Sequence, residues 1–347
     1  MKVVVDDKIP YIREALHTMG IEAHYMPGNA FTREAVSDAD ALIVRTRTHC
    51  NADLLEGSKV QFIATATIGY DHIDTAYCAS KNIHWTNAPG CNAASVCQYI
   101  QSVLLLLQSE HGVDLSQATL GVVGVGHVGT LVARMASSWG MRVLCCDPLR
   151  ADRGEQGFVS LEHIASEADI ITLHTPLTRE GKYPTFHMAG EDFFASLKRK
   201  PYFINTSRGE TTDTAALLKA LDENRIAQCC IDVWENEPDI DLSLLEYCHI
   251  GTPHIAGYSA DGKANATYMS LLALAAHFGL GNVPDISAPA PLQTTICDVS
   301  KESALLQIYN PHDDSNALKS HPEQFEYLRG HYPLRREEQA YTIKLQN

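Results

Sequence analysis

The sequence predicts two parallel α/β domains, one inserted into the other, with a small segment after them. Three observations carry that reading. Strand-like apolar runs alternate with helix-length stretches along most of the chain. The segment Gly124-Val125-Gly126-His127-Val128-Gly129 stands between one such run and a helix-like one. Val96, Ile100, Val103, Leu104 and Leu107 recur at three- and four-residue steps, the pattern of a buried helix, and separate a first α/β series from a second.

In chain order, the first series has strands at Lys2–Val5, Ala41–Val44 and Gln61–Ala64, followed by the long helix from about Asn92 to Gln108. The second has strands at Leu120–Val123, Val143–Cys146, Ile170–Leu173, Tyr202–Ile204 and Cys229–Ile231. After His254 the pattern of the first series returns, with a helix near Lys263–Phe278. The proline-rich stretch Val283 to Pro291 then reads as a linker. Charged and aromatic residues follow it, with one plausible strand at Ala340–Leu345. The division expected is a domain of residues 1–92 and 254–285, an inserted domain of 93–253, and a C-terminal segment of 286–347. A segment that short holds little core of its own, and packing against a second copy of the chain would help to bury it.

A length of 347 residues with 45% hydrophobic and 20% charged residues suits a folded protein of more than one domain. The formal net charge of −15 argues against nucleic acid or an anionic membrane as partner, since both need a basic surface. Neither a signal-peptide core nor a membrane span is visible in the apolar runs. The ten cysteines form no CxxC pair and read as reduced thiols of a cytoplasmic protein. The sixteen histidines have no metal-ligand spacing, and no metal is expected.

The glycine segment lies in the strand–turn–helix setting that gives such a fingerprint meaning. Glycines allow the tight turn and let backbone N–H groups approach a pyrophosphate at the positive end of a helix. The next strand ends at Asp147, whose carboxylate can accept hydrogen bonds from a ribose diol. Gly124, Gly126, His127, Val128, Gly129 and Asp147 are therefore the expected dinucleotide site. Asp147 would repel a 2′-phosphate and favours NAD, although Arg150 and Arg153 stand close by in sequence.

Three further segments follow strands: Asn205-Thr206-Ser207-Arg208-Gly209, Asp232-Val233-Trp234-Glu235-Asn236-Glu237-Pro238 and Gly251-Thr252-Pro253-His254-Ile255-Ala256-Gly257. They supply a guanidinium, a carboxylate and an imidazole. Oxidation of a 2-hydroxy acid needs a cation for the carboxylate, and Arg208 can form two parallel hydrogen bonds. It also needs a base for the hydroxyl proton; His254 suits that work, and a carboxylate such as Glu237 fixes a histidine's tautomer and stabilises its imidazolium.

In this order after a glycine fingerprint, the segments resemble the D-2-hydroxyacid dehydrogenase family over roughly residues 40–280. The resemblance implies a Rossmann-type NAD domain inserted in a flavodoxin-like substrate domain, plus a small C-terminal domain. It implies Arg208 as carboxylate anchor, Glu237 as partner of the histidine and His254 as acid/base. Cofactor contacts are implied at Asp147, Thr175, Ser207, Asp232 and Gly257. Val44-Arg45-Thr46, Ala64 to Asp74, Ala88 to Ala93 and His254 to Ser259 are similar to one branch of the family, which acts on a small phosphorylated hydroxy acid and dimerises through a C-terminal domain. In that branch Thr46, Thr67 and Tyr258 look like substrate contacts, and Arg45, just past a strand, is a candidate cation for the phosphate. Threonine at 46 departs from the expected serine but keeps the hydroxyl, and Gln98 replaces a commoner glutamate. Two alternatives stay open: a related dehydrogenase of phosphoglycerate, hydroxypyruvate or glyoxylate, and an NAD-binding corepressor without turnover.

Overall fold

In the computed structural model the chain is described from residue 1 to 345. Gln346 and Asn347, the end of the expected C-terminal segment, lie outside the described residues, as do the side chains of Asp298 and Val299. Two units result: residues 1–92 with 259–291, and residues 93–258 with 292–347.

The first unit is built on β1 (Val3–Asp6), β2 (Ala23–Met26), β3 (Ala41–Val44), β4 (Phe62–Thr65) and β5 (His84–Thr86). All pair in parallel, in the order β2-β1-β3-β4-β5. This is the flavodoxin-like order, with its switch point between β1 and β3. Every residue of β1, β3 and β4 is buried, as expected for parallel strands covered on both faces. The helix Ala260–Phe278 returns to this unit and packs Leu271 and Leu274 on Val3, Val5 and Phe62. Ser259 caps its start by accepting from the Gly262 N–H, and Gly279, at φ 63°, ends it. The proline-rich stretch has no regular structure, and its Val283 and Ile286 pack against the same core.

The second unit is built on β6 (Thr119–Val123), β7 (Arg142–Cys146), β8 (Ile170–Leu173), β9 (Tyr202–Asn205), β10 (Gln228–Ile231) and β11 (Ile250–Gly251). These strands are parallel in the order β11-β10-β9-β8-β6-β7. A single parallel bridge from Cys145 to Phe158 lies beyond β7, where the Rossmann order has its third strand. The helix Ala93–His111 buries Val96, Tyr99, Ile100, Val103, Leu104 and Leu107 on one face and the polar Ser95, Gln98, Gln101 and Ser102 elsewhere, so most of it is covered.

The expected boundaries differ from those found. Residues 254–258 belong with the second unit, because Asp232 binds their backbone, and the 292–347 segment belongs there too. Its helices Lys301–Ile308, Pro311–Ser320 and Phe325–Gly330 pair with a small parallel sheet of β12 (Thr295–Val299) and β13 (Thr342–Leu345). Leu318 and Phe325 are buried in one hydrophobic core of the unit and Tyr309 in the other. The buried Ser315 hydroxyl accepts from the Gly251 N–H of β11. The segment is thus continuous with the core of the unit that precedes it.

Candidate active site

The glycine loop leaves β6 at the switch point of its sheet, where β6 lies between β7 and β8. Gly124 has φ 86°, and a Cβ there would come within 2.7 Å of the His174 carbonyl oxygen. A Cβ on Gly129 would stand 2.0 Å from the Gly124 carbonyl oxygen, so only glycine lets the helix His127–Ser138 pack this closely. A Cβ on Gly126 would meet nothing within 4 Å, and the helix it opens has no side-chain cap. Uncapped N–H groups facing open space suit a pyrophosphate. Thr175 Oγ1 is buried without a hydrogen-bond partner beside this loop, a polar atom that a dinucleotide would satisfy. These features fit NAD.

Asp147 accepts from the Val125 and Arg150 N–H groups at 3.0 and 3.1 Å. Its neighbouring arginines are both committed. Glu155 takes two hydrogen bonds from Arg150, at 2.8 and 2.6 Å, and two from Arg153, at 3.3 and 3.2 Å. Both cations are thus held at the single Glu155 carboxylate, which engages them before any 2′-phosphate could.

Arg208 follows β9 in a loop tied together by Asn205. The Asn205 amide donates to the Arg208 carbonyl and accepts from both the N–H and the hydroxyl of Ser207. Ser207 is buried in this network, so its side chain shapes the loop. The Arg208 guanidinium donates to the Ser207 carbonyl at 2.7 Å, and among the described residues no carboxylate lies within 4.0 Å of it. Gly209 allows the loop to reach its neighbour, because a Cβ would lie 2.0 Å from the backbone of Trp234.

Glu237 and His254 come from the loops after β10 and β11. His254 Nδ1 lies 2.8 Å from Glu237 Oε2, while Glu237 Oε1 accepts from the Trp234 N–H at 2.9 Å. Burial would raise the Glu237 pKa, but the bonds from His254 and Trp234 and the nearby Arg329 outweigh it and hold it below the usual value. Trp234 joins the two loops by donating from its indole to the Thr252 carbonyl. His254 has φ 55°, uncommon for a residue with a side chain. Asp232, 1% exposed, restrains it: the carboxylate accepts from Thr252 Oγ1 and from the N–H groups of Ile255 and Ala256, at 2.7, 2.7 and 3.0 Å. Its pKa is raised by burial against these opposing bonds. Gly257 and Tyr258 continue the same loop, and Tyr258 Oη accepts from Arg329 Nε at 3.0 Å.

In the first unit Arg45 and Thr46 lie beyond β3, and Thr67 lies beyond the adjacent β4. Arg45 donates to the Lys8 carbonyl, and among the described residues no carboxylate lies within 4.0 Å of it. Thr46 is exposed. Thr67 donates to the Gly69 carbonyl and lies 2.7 Å from the Thr65 hydroxyl, so it also shapes the turn.

Four residues were missed by sequence reasoning. His174, after β8, lies between the hydroxyls of Thr172 and Thr206, and burial pushes its pKa down to about 3. Arg329, Arg335 and Glu337 reach the His254 loop or the helix before it from the C-terminal segment. No motif marks them, because their partners are far away in sequence. One grouping of ligand-type side chains is not visible in sequence spacing. Glu110, His111 and His249 bring ligand-type atoms within 4.8 Å of one another, and Glu110 Oε1 lies 2.8 Å from His312 Nε2. That group ties the helix Pro311–Ser320 to the end of the helix Ala93–His111.

Residues 102–256 match the model of the D-isomer specific 2-hydroxyacid dehydrogenase NAD-binding domain, and residues 289–347 match a domain of unknown function. A D-lactate dehydrogenase from Aquifex aeolicus, solved in complex with NAD and lactic acid, is similar with a TM-score of 0.64 and 28% identity, over 80% of this chain and 96% of that one. Fold and glycine loop define an NAD-dependent oxidoreductase of the D-2-hydroxyacid dehydrogenase class. The erythronate-4-phosphate dehydrogenase of Bacteroides thetaiotaomicron is 59% identical, with 99% of each chain covered. That of Porphyromonas gingivalis is 41% identical, over 99% of this chain and 95% of the other. The chain therefore belongs to the erythronate-4-phosphate dehydrogenase family.

Proposed function

We propose that the protein oxidises 4-phospho-D-erythronate to (R)-3-hydroxy-2-oxo-4-phosphooxybutanoate, a step in pyridoxal 5′-phosphate synthesis. The observation that carries this reading is the Glu237–His254 pair standing with an unneutralised Arg208 on the unit that bears the glycine loop, in a chain 59% identical to a relative of that name. NAD, when bound, supplies the hydride acceptor. Arg208 holds the substrate carboxylate through paired hydrogen bonds. His254 accepts the proton of the C2 hydroxyl at Nε2, while Glu237, bonded at Nδ1, fixes the tautomer and stabilises the imidazolium. Asp147 accepts from the adenosine ribose. Thr175, Ser207, Asp232 and Gly257 complete the cofactor side, with Ser207 and Asp232 acting mainly through the loops they hold.

Arg45, Thr46, Thr67 and Tyr258 are assigned to the substrate and its phosphate. A site whose donors are matched to a phosphate discriminates against a substrate without one. Erythronate is therefore expected to be a poor substrate. Arg45→Ala and Thr67→Val should reduce kcat/KM for the phosphorylated acid far more than for erythronate, and equal losses on both would overturn the assignment. Turnover of 3-phosphoglycerate or hydroxypyruvate above that of the erythronate ester would favour a different dehydrogenase, and no turnover of any 2-hydroxy acid a binding protein.

The chain is assigned to the cytoplasm and to a homodimer. Among the described residues no helix is long and apolar enough to cross a membrane. The two-stranded sheet of β12 and β13 is marginal on its own, and Leu345, at the end of β13, is exposed. Light scattering should give about twice the chain mass of 38.1 kDa, and a monomeric mass would refute the dimer.

A further inference from the structure

We infer that the C-terminal segment is part of its own chain's active site: Arg335 clamps the backbone of the His254 loop, and Arg329 positions the Glu237–His254 pair and the Tyr258 phenol. The inference rests on the reading of His254 as the acid/base and assigns work to a segment whose matching domain has no known function.

The loop is held from two sides. Its N–H groups at Ile255 and Ala256 are taken by Asp232, as described above. Its carbonyls at the same two residues are taken by Arg335, whose NH1 donates to Ile255 at 3.2 Å and whose NH2 donates to Ala256 at 2.6 Å. Arg335 NH2 also donates to the Ser95 carbonyl, the Ser95 hydroxyl donates to Glu337, and the guanidinium lies 4.1 Å from the Tyr309 ring centre. Charged hydrogen bonds from a buried guanidinium restrain the backbone carbonyls that accept them. Such restraint is what a histidine in the left-handed region requires, since a strained residue persists only where its surroundings over-determine it.

Arg329 acts on side chains. Its helix, Phe325–Gly330, is anchored by Phe325, 1% exposed. Its Nε donates to Tyr258 Oη, which fixes the place of the phenol beside the loop. Its NH1 lies 4.0 Å from Glu237 Oε2, the oxygen that bonds His254. Two cations thus compete for one carboxylate. Arg329 draws on Glu237, so less of that carboxylate's charge is left to the imidazole it orients. The other charged groups near the pair are Asp232, at the end of β10, and Glu326, one turn before Arg329.

The experiment uses the full chain with NAD and compares Arg329→Gln, Arg329→Lys and the double variant Arg329→Gln/Glu237→Gln, with melting temperature and NAD affinity measured on each. Arg329→Gln is expected to lower kcat/KM for the phosphorylated acid by roughly 10- to 100-fold, the scale of a lost charged hydrogen bond. The acidic limb of its kcat/KM profile should move to higher pH by about half a unit or more. NAD affinity should stay within about twofold of the parent, since the bonds of Arg329 go to Tyr258 and Glu237 and not to the glycine loop. Arg329→Lys should return the limb towards its original position, and the double variant should abolish the shift, because the carboxylate through which Arg329 acts is gone. An unmoved limb with unchanged kcat/KM in Arg329→Gln would overturn the proposal. So would activity, NAD affinity and melting temperature falling together in both Arg329→Gln and Arg329→Lys, the mark of a merely structural residue. Full activity in His254→Ala would instead overturn the underlying reading of the site.

Discussion

His254 combines an unfavourable backbone conformation with a short bond to a carboxylate held ionised. Replacing it with alanine removes the base and is expected to reduce kcat by about 100- to 10,000-fold in steady-state assays. Retention of most activity would refute its role. Glu237→Gln keeps a hydrogen-bond acceptor but removes the charge, so the imidazolium loses support and the acidic limb should move to lower pH. That direction is opposite to the one expected for Arg329→Gln, which makes the two variants a matched pair. At this scale the sequence was informative where chemistry restricts the residue type. A guanidinium, a carboxylate and an imidazole after successive strands leave few other readings. It was silent on Asp232 as the anchor of the His254 loop and on Arg335, because both act through backbone groups that any residue type would present.

Among the elements, the glycine loop and its helix were legible from three glycines with separate steric duties. So were β1, β3, β4, β6 and β8, whose continuous apolar runs reflect burial on both faces. β2 and β5 were not, since edge strands such as Ala23–Met26 and His84–Thr86 are half-exposed and mix polar with apolar residues. β11 is only two residues long, too short for any periodic signal. Cofactor choice belongs to this scale because it depends on the strand end at Asp147 and the helix Pro148–Asp152 beside it. Asp147→Ala should narrow the preference for NAD over NADP in kcat/KM, and Glu155→Gln should narrow it further by freeing Arg150 and Arg153. An unchanged ratio in both variants would show that neither group reads the ribose.

At the scale of the molecule, acid sensitivity follows from histidines kept neutral by the fold. Burial lowers the His174 pKa to about 3; burial and the neighbouring His111 lower that of His249 to about 4, although Glu110 opposes this. Both groups bind a proton more readily when unfolded, where the ordinary value is about 6.5. Their contribution is complete above that value and is lost as pH falls from about 6.5 towards the folded values. Denaturant midpoints should therefore drop steadily between pH 6.5 and 4, and His249→Gln should flatten part of the slope. An unchanged slope in that variant would locate the sensitivity elsewhere.

The clamp of Arg335 on Ile255 has a consequence for how the protein is made. The two residues are 80 positions apart, so at ordinary translation rates of 5–20 residues per second the ribosome adds the clamp about 4 to 16 s after the loop it holds. A chain that stalls in that interval carries the histidine, the carboxylate and the glycine loop, yet lacks the second of the two restraints on the His254 loop. Partial products of synthesis or C-terminal clipping would thus lack both the clamp and the side chains, Tyr309, Leu318 and Phe325, that complete the cores of the unit.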